Sequence, residues 1–355
     1  MAKHKLLIIT SLVFLYFSCG TNSEQKKSAF QIKIDQNKKE FKLEESINGN
    51  VEDKNESNID SVTVYLNTES FTTTGPEWNF SIPLKDQKLG NQQLEAKIYH
   101  EGQIDTASIG IQIYNDVPPV TYTYKIINTY PHSPKAYTQG LEFFNDTLYE
   151  STGQYGKSQL RKVDYKTGKS YKEVNLPEAY FGEGLTIWKD KILQLTWRSK
   201  EGFIYDLHSF EKTGIFNYTN SEQGWGLCHD DTHIYKSDGT EKIWLLDTET
   251  FAEKDYIQVT THKNIVSKMN ELEWINGKIY ANTYQKDGVA IINPKNGAIE
   301  GIIDFRGLRE KLGNTDALDK ANDVLNGIAY NPNTKQLFVT GKQWDTLFEV
   351  EIIKK

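Results

Sequence analysis

One β-hairpin pattern occurs five times between residues 137 and 355, and this repeat restricts the fold more than any other feature of the chain. The first strands of the five copies begin at Gln139, Glu183, Trp225, Asn270 and Asn326. The second strands end at Gly153, Trp197, Gly239, Tyr284 and Lys342, which lie 14 residues after the start in four copies and 16 in the fifth. An antiparallel hairpin places the start of its first strand beside the end of its second. We therefore expect these ten residues to gather at one end of one structure.

The spacing of the repeat predicts the architecture. The copies start 44, 42, 45 and 56 residues apart, each is followed by a third strand, and four of them add a fourth. Four antiparallel strands in a repeat of this length are typical of a propeller blade. A strand at residues 122–127 precedes the first copy, and we expect it to complete the fifth blade and remove an exposed edge. The prediction is a five-bladed β-propeller at residues 121–355.

The preceding residues predict a second β domain. Residues 28–116 alternate in short strands with turn-rich spacers, which favours a small β-sandwich of the immunoglobulin-like type. Residues 117–120, Val-Pro-Pro-Val, are the expected linker, because consecutive prolines interrupt strand pairing. The chain as a whole is expected to be all-β. Its net charge of −7 shows no basic footprint for nucleic acid.

The first residues predict export. A short charged segment and an apolar run from Leu6 to Phe17 indicate a signal peptide at residues 1–18. Cys19 follows a small residue, as at a bacterial lipoprotein cleavage site, so we expect lipidation of Cys19, a polar tether at residues 19–27 and attachment to a membrane. The expected location is extracytoplasmic, in the periplasm or at the outer membrane. The alternative is an ordinary signal peptide in which this cysteine is incidental.

The residues at the hairpin ends predict a ligand pocket. Positions needed only for the fold should look alike in every copy, whereas these hold an acid, a base, three carboxamides, two tryptophans and a tyrosine. Apolar walls with a few convergent polar groups are typical of a small-molecule site. Each residue taken alone also fits a structural role, in the core or at a solvated loop edge. The histidines lack metal-ligand spacing such as H-E-x-x-H, no G-x-S-x-G motif occurs, and Cys228 is expected to be a small buried residue.

Eight motifs distributed in order through the five copies resemble one enzyme family. They are YTQGLE (137–142), YESTG (149–153), FGEGL (181–185), QLTW (194–197), GWGL (224–227), NELE (270–273), DVLNG (323–327) and TGK (340–342). The segment resembles the plant-type glutaminyl-peptide cyclotransferases and their bacterial relatives. The resemblance does not extend to the N-terminal domain.

The resemblance implies an aminoacyltransferase that converts an N-terminal glutaminyl residue of a peptide or protein into pyroglutamyl and releases ammonia, with no metal or other cofactor. It implies catalytic roles for Glu183, Asn270 and Lys342. It also implies a substrate-binding site at Tyr137, Gln139, Trp197, Trp225, Tyr284 and Asn326. Tyr137 stands where the family usually has Phe, and Tyr284 where it usually has Trp. Both changes keep an aromatic wall, so they bear on substrate preference more than on activity.

The expected chemistry leaves one role open. Glu183 would act as general base and then general acid, with a pKa raised by burial. Either Asn270 or Lys342 would stabilise the oxyanion of the tetrahedral intermediate.

Two other functions fit the same residues. In a calcium-dependent propeller hydrolase of the lactonase type, Glu183, Asn270 and Asn326 would bind the cation. Against this, Lys342 in the same ring would repel the cation. A non-catalytic binding propeller would scaffold a surface complex and would turn over no peptide.

Overall fold

The computed structural model describes residues 29–55 and 57–355. The predicted signal peptide (1–18), the lipidation site Cys19 and the predicted tether (19–27) lie outside the described residues. Between them, the described segments form 28 strands and two 3₁₀ turns, Arg309–Lys311 and Thr315–Ala317. The all-β prediction is therefore confirmed. In the described residues, no helix is long and apolar enough to cross a membrane.

The N-terminal strands form two sheets around one apolar core. The strands are β1 (Phe30–Ile34), β2 (Glu40–Lys42), β3 (Ser46–Asp53), β4 (Ile59–Leu66), β5 (Glu69–Thr72), β6 (Asn79–Pro83), β7 (Gly90–His100) and β8 (Gln103–Tyr114). One sheet has the order β1-β3-β6 and the other β2-β8-β7-β4-β5. Sequence alternation predicts strands at residues 30–34, 61–65, 78–82, 93–99 and 107–114. These correspond to β1, β4, β6, β7 and β8, whereas β2, β3 and β5 were missed. In β3 the buried positions include Gly49, which hides the alternation of apolar residues that marks a strand.

A long strand, β9 (Val120–Pro131), joins the two parts of the chain. It pairs antiparallel with the last strand, β28 (Thr346–Lys354), as its position ahead of the repeats suggested. Its first residues also pair in parallel with β25 (Ile299–Asp304), and Val120 of the expected linker belongs to this pairing. β9 therefore connects the fourth and fifth repeats into one eight-stranded sheet.

The repeats form successive four-stranded units. The first three are separate sheets with strands in chain order. The first sheet contains β10 (Thr138–Phe144), β11 (Thr147–Thr152), β12 (Gln159–Asp164) and β13 (Lys169–Asn175), and the second contains β14 (Gly182–Trp188), β15 (Lys191–Thr196), β16 (Glu201–Asp206) and β17 (Lys212–Asn217). The third contains β18 (Leu227–His229), β19 (Ile234–Ser237), β20 (Lys242–Leu246) and β21 (Glu253–Gln258). The eight-stranded sheet contains β22 (Met269–Ile275), β23 (Lys278–Thr283), β24 (Gly288–Ile292), β25, β9, β28, β27 (Gln336–Gly341) and β26 (Leu325–Asn331).

The first strands of the five repeats contact one another in a closed cycle. β10 contacts β14, β14 contacts β18, β18 contacts β22, β22 contacts β26, and β26 contacts β10. The approach is so close that only glycine fits at some positions. A Cβ on Gly184 would lie 2.6 Å from the Cα of Gly226, and a Cβ on Gly226 would lie 2.1 Å from the backbone oxygen of Asn270.

The fourth repeat has Glu271 where the other four have glycine, and its side chain is buried among the inner strands. Its carboxylate accepts hydrogen bonds from the backbone nitrogens of Leu141 at 3.2 Å and Ile328 at 2.9 Å. One side chain thus ties the fourth repeat to the first and the fifth.

Candidate active site

A cavity of about 190 Å³ lies where the hairpin ends meet. Its lining residues are Tyr137, Gln139, Phe181, Glu183, Trp197, Trp225, Asn270, Tyr284, Asn322 and Lys342. The structure thus brings together eight of the nine site residues predicted from the sequence. The ninth, Asn326, is buried beside the cavity and does not line it.

Backbone hydrogen bonds explain why these positions converge. The nitrogen of Trp197 donates to the oxygen of Phe181 at 2.9 Å, and the nitrogen of Gly153 donates to the oxygen of Tyr137 at 2.8 Å. In both hairpins the strand-end residue pairs with the residue two positions before the strand start. The fourth and fifth hairpins repeat this pairing, from Tyr284 to Lys268 and from Lys342 to Val324. In these four hairpins the position two residues before the start therefore lies beside the strand end.

Irregular strand starts aim several of the side chains. The pairing register shifts around Gln139, Glu183, Asn270 and Asn326, each of which lies within a bulge at the start of its strand. A bulge turns a side chain away from the regular alternation of the strand. This local geometry is how a residue of an inner strand comes to face the cavity.

Glu183 and Lys342 are the two buried ionisable groups of the cavity wall, each with 4 % of its surface exposed. Burial raises the pKa of the Glu183 carboxyl well above its usual range, and the charge of Lys342 opposes this only in part. Burial lowers the pKa of Lys342 to about 8, against the opposing charges of Glu183 and Asp323. Both shifts favour the neutral forms, and they bring the pKa values of the two groups closer together than those of an ordinary Glu and Lys.

Two tyrosines hold the ammonium group of Lys342. Its Nζ lies 4.9 Å from the ring centroid of Tyr137 and 5.1 Å from that of Tyr284. These are distances at which a cation is attracted to an aromatic ring face. The two positions at which the sequence departs from the family pattern therefore flank the same lysine.

Asn326 fixes the orientation of Gln139. The Nδ2 of Asn326 donates to the Oε1 of Gln139 at 3.1 Å and to the backbone oxygen of Thr138 at 2.9 Å. With its oxygen occupied, Gln139 has its Nε2 amide group left to offer to a ligand. Asn326 thus acts on the cavity through Gln139 in this structure, and its direct contact with substrate stays a prediction.

Asn270 has an unused hydrogen-bond acceptor at the cavity. Its Oδ1 is buried and meets no hydrogen-bond donor in the described part of the chain. A buried polar atom without a partner is costly unless a ligand or water supplies one. Asn270 is itself held through its backbone oxygen, which accepts a hydrogen bond from Ser237 Oγ at 2.7 Å.

One glutamine orients both tryptophans of the wall. The Oε1 of Gln223 accepts hydrogen bonds from the indole nitrogens of Trp197 at 2.7 Å and Trp225 at 2.9 Å. The backbone oxygen of Gln223 accepts a further hydrogen bond from the Nζ of Lys236 at 2.8 Å. Lys236 is fully buried and forms an ion pair with Glu253 at 2.9 Å. A buried polar network therefore supports the apolar side of the cavity.

Sequence reasoning missed Phe181, Asn322 and Gln223. Phe181 and Gln223 occupy the position two residues before a strand start, as Tyr137 does, so a comparison of the five copies at that position would have found them. Asn322 lies in the long connection ahead of β26, where the repeats offer nothing to compare. Its backbone oxygen accepts a hydrogen bond from the Tyr137 hydroxyl at 3.3 Å.

The described residues hold no group of three or more His, Cys, Asp or Glu side chains placed to bind a metal ion. The cavity combines an acid, a lysine, carboxamides and aromatic walls. Such a set can transfer a proton and stabilise a developing negative charge on a small, partly polar ligand.

Comparison with known proteins agrees with this chemistry. The family model described as glutamine cyclotransferase matches residues 97–352, starting within β7 of the N-terminal part. The chain is 40% identical to a glutaminyl-peptide cyclotransferase of Arabidopsis thaliana over 229 residues, which are 64% of this chain and 71% of that protein. It is also similar to the crystal structure of a Myxococcus xanthus glutaminyl cyclase, with a TM-score of 0.62 and 32% identity over 67% of this chain and 99% of that one.

Proposed function

The chain belongs to the glutamine cyclotransferase family, and from this we propose how its cavity converts an N-terminal glutaminyl residue into a pyroglutamyl residue. The observation that carries the proposal is that buried Glu183 and buried Lys342 line one cavity of about 190 Å³. Its substrates are peptides or proteins that begin with glutamine. The α-amine and the γ-carboxamide belong to one residue, so the enzyme gains most by holding them in the reactive geometry.

Glu183 carries the protons in this proposal. The α-amine attacks the γ-carbonyl carbon, and its proton passes to the Glu183 carboxylate as the new C–N bond forms. The tetrahedral intermediate then breaks its bond to the amide nitrogen, which takes the proton back from Glu183 and leaves as ammonia. The raised pKa of Glu183 suits the first step, because it makes the carboxylate a stronger base toward the amine proton.

Lys342 stabilises the oxyanion, and Asn270 holds the amine. The ammonium of Lys342 is desolvated between two tyrosine rings, where a charge acts more strongly than it does in water. The unpartnered Oδ1 of Asn270 can accept a hydrogen bond from the α-amine of the substrate. The free amide group of Gln139 offers one more donor to the substrate carboxamide. Trp197, Trp225 and Tyr284 enclose the methylene groups of the glutaminyl side chain.

The same proposal covers the architecture. The closed cycle of five inner strands supports a five-bladed β-propeller at residues 121–355. The two N-terminal sheets around one core support an immunoglobulin-like sandwich. The proposal also includes a signal peptide at residues 1–18, lipidation at Cys19 and a tether that holds the protein outside the membrane. These features are supported by the sequence pattern alone.

The test is to incubate the full chain with a Gln-initiated peptide and to follow the loss of one ammonia by mass spectrometry. Turnover that persists in EDTA is expected, with no turnover of the matching Glu-initiated peptide. Turnover that EDTA abolishes would favour the calcium-dependent hydrolase. Complete absence of turnover would favour the binding propeller.

A further inference from the structure

A strip of aromatic rings leads from the cavity to solvent. Phe181 lines the cavity, and its ring centroid lies 5.5 Å from that of Trp197. The ring centroid of Phe181 also lies 5.5 Å from that of Tyr155, in an edge-to-face contact. Tyr155 does not line the cavity, and 53% of its surface is exposed. The apolar wall of the cavity therefore continues onto the surface.

Tyr155 is held on a fixed turn. The nitrogen of Gly156 donates to the oxygen of Glu178 at 3.2 Å, and the hydroxyl of Ser158 donates to the oxygen of Gln154 at 2.8 Å. Gln154 has a φ of 85°, a left-handed conformation that costs energy for a residue with a side chain. The turn thus presents an exposed ring in a defined position, at a cost in backbone strain.

The size of the cavity places the rest of a bound peptide outside it. Its volume of about 190 Å³ is below the roughly 300–1,000 Å³ of pockets that enclose whole drug-sized ligands. The proposed function places the glutaminyl residue in this space. The second residue follows at a distance of about 3.8 Å between Cα atoms, so its side chain leaves the cavity at the rim.

We propose that Tyr155 and Phe181 form a subsite for the side chain of the second substrate residue, and that this subsite favours apolar and aromatic side chains. The inference rests on the proposed function and specifies its substrates. The competing feature of the rim is the exposed Arg198, whose guanidinium lies 3.8 Å from the ring centroid of Trp197. A subsite governed by Arg198 would favour an acidic second residue instead.

The kinetic test compares kcat/KM of the full chain for three peptides, Gln-Tyr-Ala-Ala, Gln-Gly-Ala-Ala and Gln-Glu-Ala-Ala. The Tyr peptide is expected to exceed the Gly peptide by about tenfold, the lower range for an added apolar contact. Tyr155→Ser should reduce this ratio to within about twofold. The control is Tyr171→Ser in β13, which removes a tyrosine that is 67% exposed and has no ring contact with the cavity wall, and it should keep the full ratio.

A binding test separates the subsite from the chemistry. The dissociation constants of the same peptides are measured by calorimetry on Glu183→Gln, alone and combined with Tyr155→Ser. Preferential binding of the Tyr peptide that depends on Tyr155 supports the subsite even if wild type turns over no peptide. The subsite would be overturned by any of three results. They are a ratio of the Tyr peptide to the Gly peptide that Tyr155→Ser leaves unchanged, a preference for the Glu peptide, and no binding of any peptide.

Discussion

The indole nitrogen of Trp197 donates a 2.7 Å hydrogen bond to the amide oxygen of Gln223, and that oxygen also accepts from Trp225. Both indole donors are thereby occupied, so the two rings offer the substrate aromatic surface. Gln223 is a positioning residue, since it acts on the ligand through the two rings.

Replacing Gln223 with methionine should lower kcat/KM by about tenfold or more, mainly through KM. The change keeps the side-chain volume but leaves two indole donors without an acceptor. Each unsatisfied donor costs about 1–3 kcal/mol of free energy. Gln223→Glu retains an acceptor oxygen and should recover most of the activity. Steady-state kinetics, with tryptophan fluorescence to report the ring environment, measure both variants. Equal activity of Gln223→Met and wild type would contradict the role.

Glu183→Gln should reduce kcat by at least about 10², the contribution expected of a general acid–base group. The carboxamide has nearly the same shape but cannot take up the amine proton. The matched control is Glu178→Gln, because Glu178 is exposed and precedes the same hairpin. Ammonia release measures both, and a Glu183→Gln variant that retains wild-type turnover would remove Glu183 from the mechanism.

The activity should fall as the pH rises through about 8, where Lys342 loses its proton. Burial lowers this pKa below the ordinary value for lysine, so the charged form dominates only below about pH 8. The α-amine of the substrate acts in the opposite direction, because it becomes a nucleophile as it loses its own proton near a pKa of about 8. A bell-shaped profile of kcat/KM against pH is expected.

Lys342→Arg provides the check on this assignment. Arginine stays charged throughout the accessible pH range, so the alkaline fall should disappear even if the maximal rate is lower. Lys342→Met should lose about 10²–10³ in kcat, as expected for loss of an oxyanion-stabilising group. An alkaline fall that is unchanged in Lys342→Arg would assign it to a different group.

Gly226→Ala should lower both kcat/KM and the melting temperature. The added Cβ would lie 2.1 Å from the backbone oxygen of Asn270, so the inner strand that carries Asn270 must move. Misplacement of a substrate-positioning group by about 1 Å can cost about 10² in rate. Gly110→Ala in β8 is the control, because no atom beyond its own residue and its two chain neighbours lies within 4 Å of the Cβ it would add. If Gly226→Ala and Gly110→Ala show equally small changes in kcat/KM and in melting temperature, the predicted crowding at Gly226 is excluded.

The sequence by itself determined the all-β class, the family and most of the cavity residues. It did so because the hairpin repeats, and antiparallel pairing makes equivalent positions of successive copies converge. The comparison of hairpin ends selected eight residues, and seven of them line the cavity, all except Asn326. Phe181 and Gln223 occupy an equally repetitive position, two residues before the start of a first strand.

Only the tertiary structure decided the contacts that depend on side-chain direction and on distant segments. It placed Asn326 behind Gln139, because its carboxamide is aimed by a bulge that leaves no regular pattern in the sequence. It also placed Asn322 at the cavity rim and Gln223 between the two indoles. Hairpin periodicity specifies which backbone positions meet at the cavity, whereas the path of an irregular loop and the orientation of a carboxamide depend on the atoms that surround them in the folded chain.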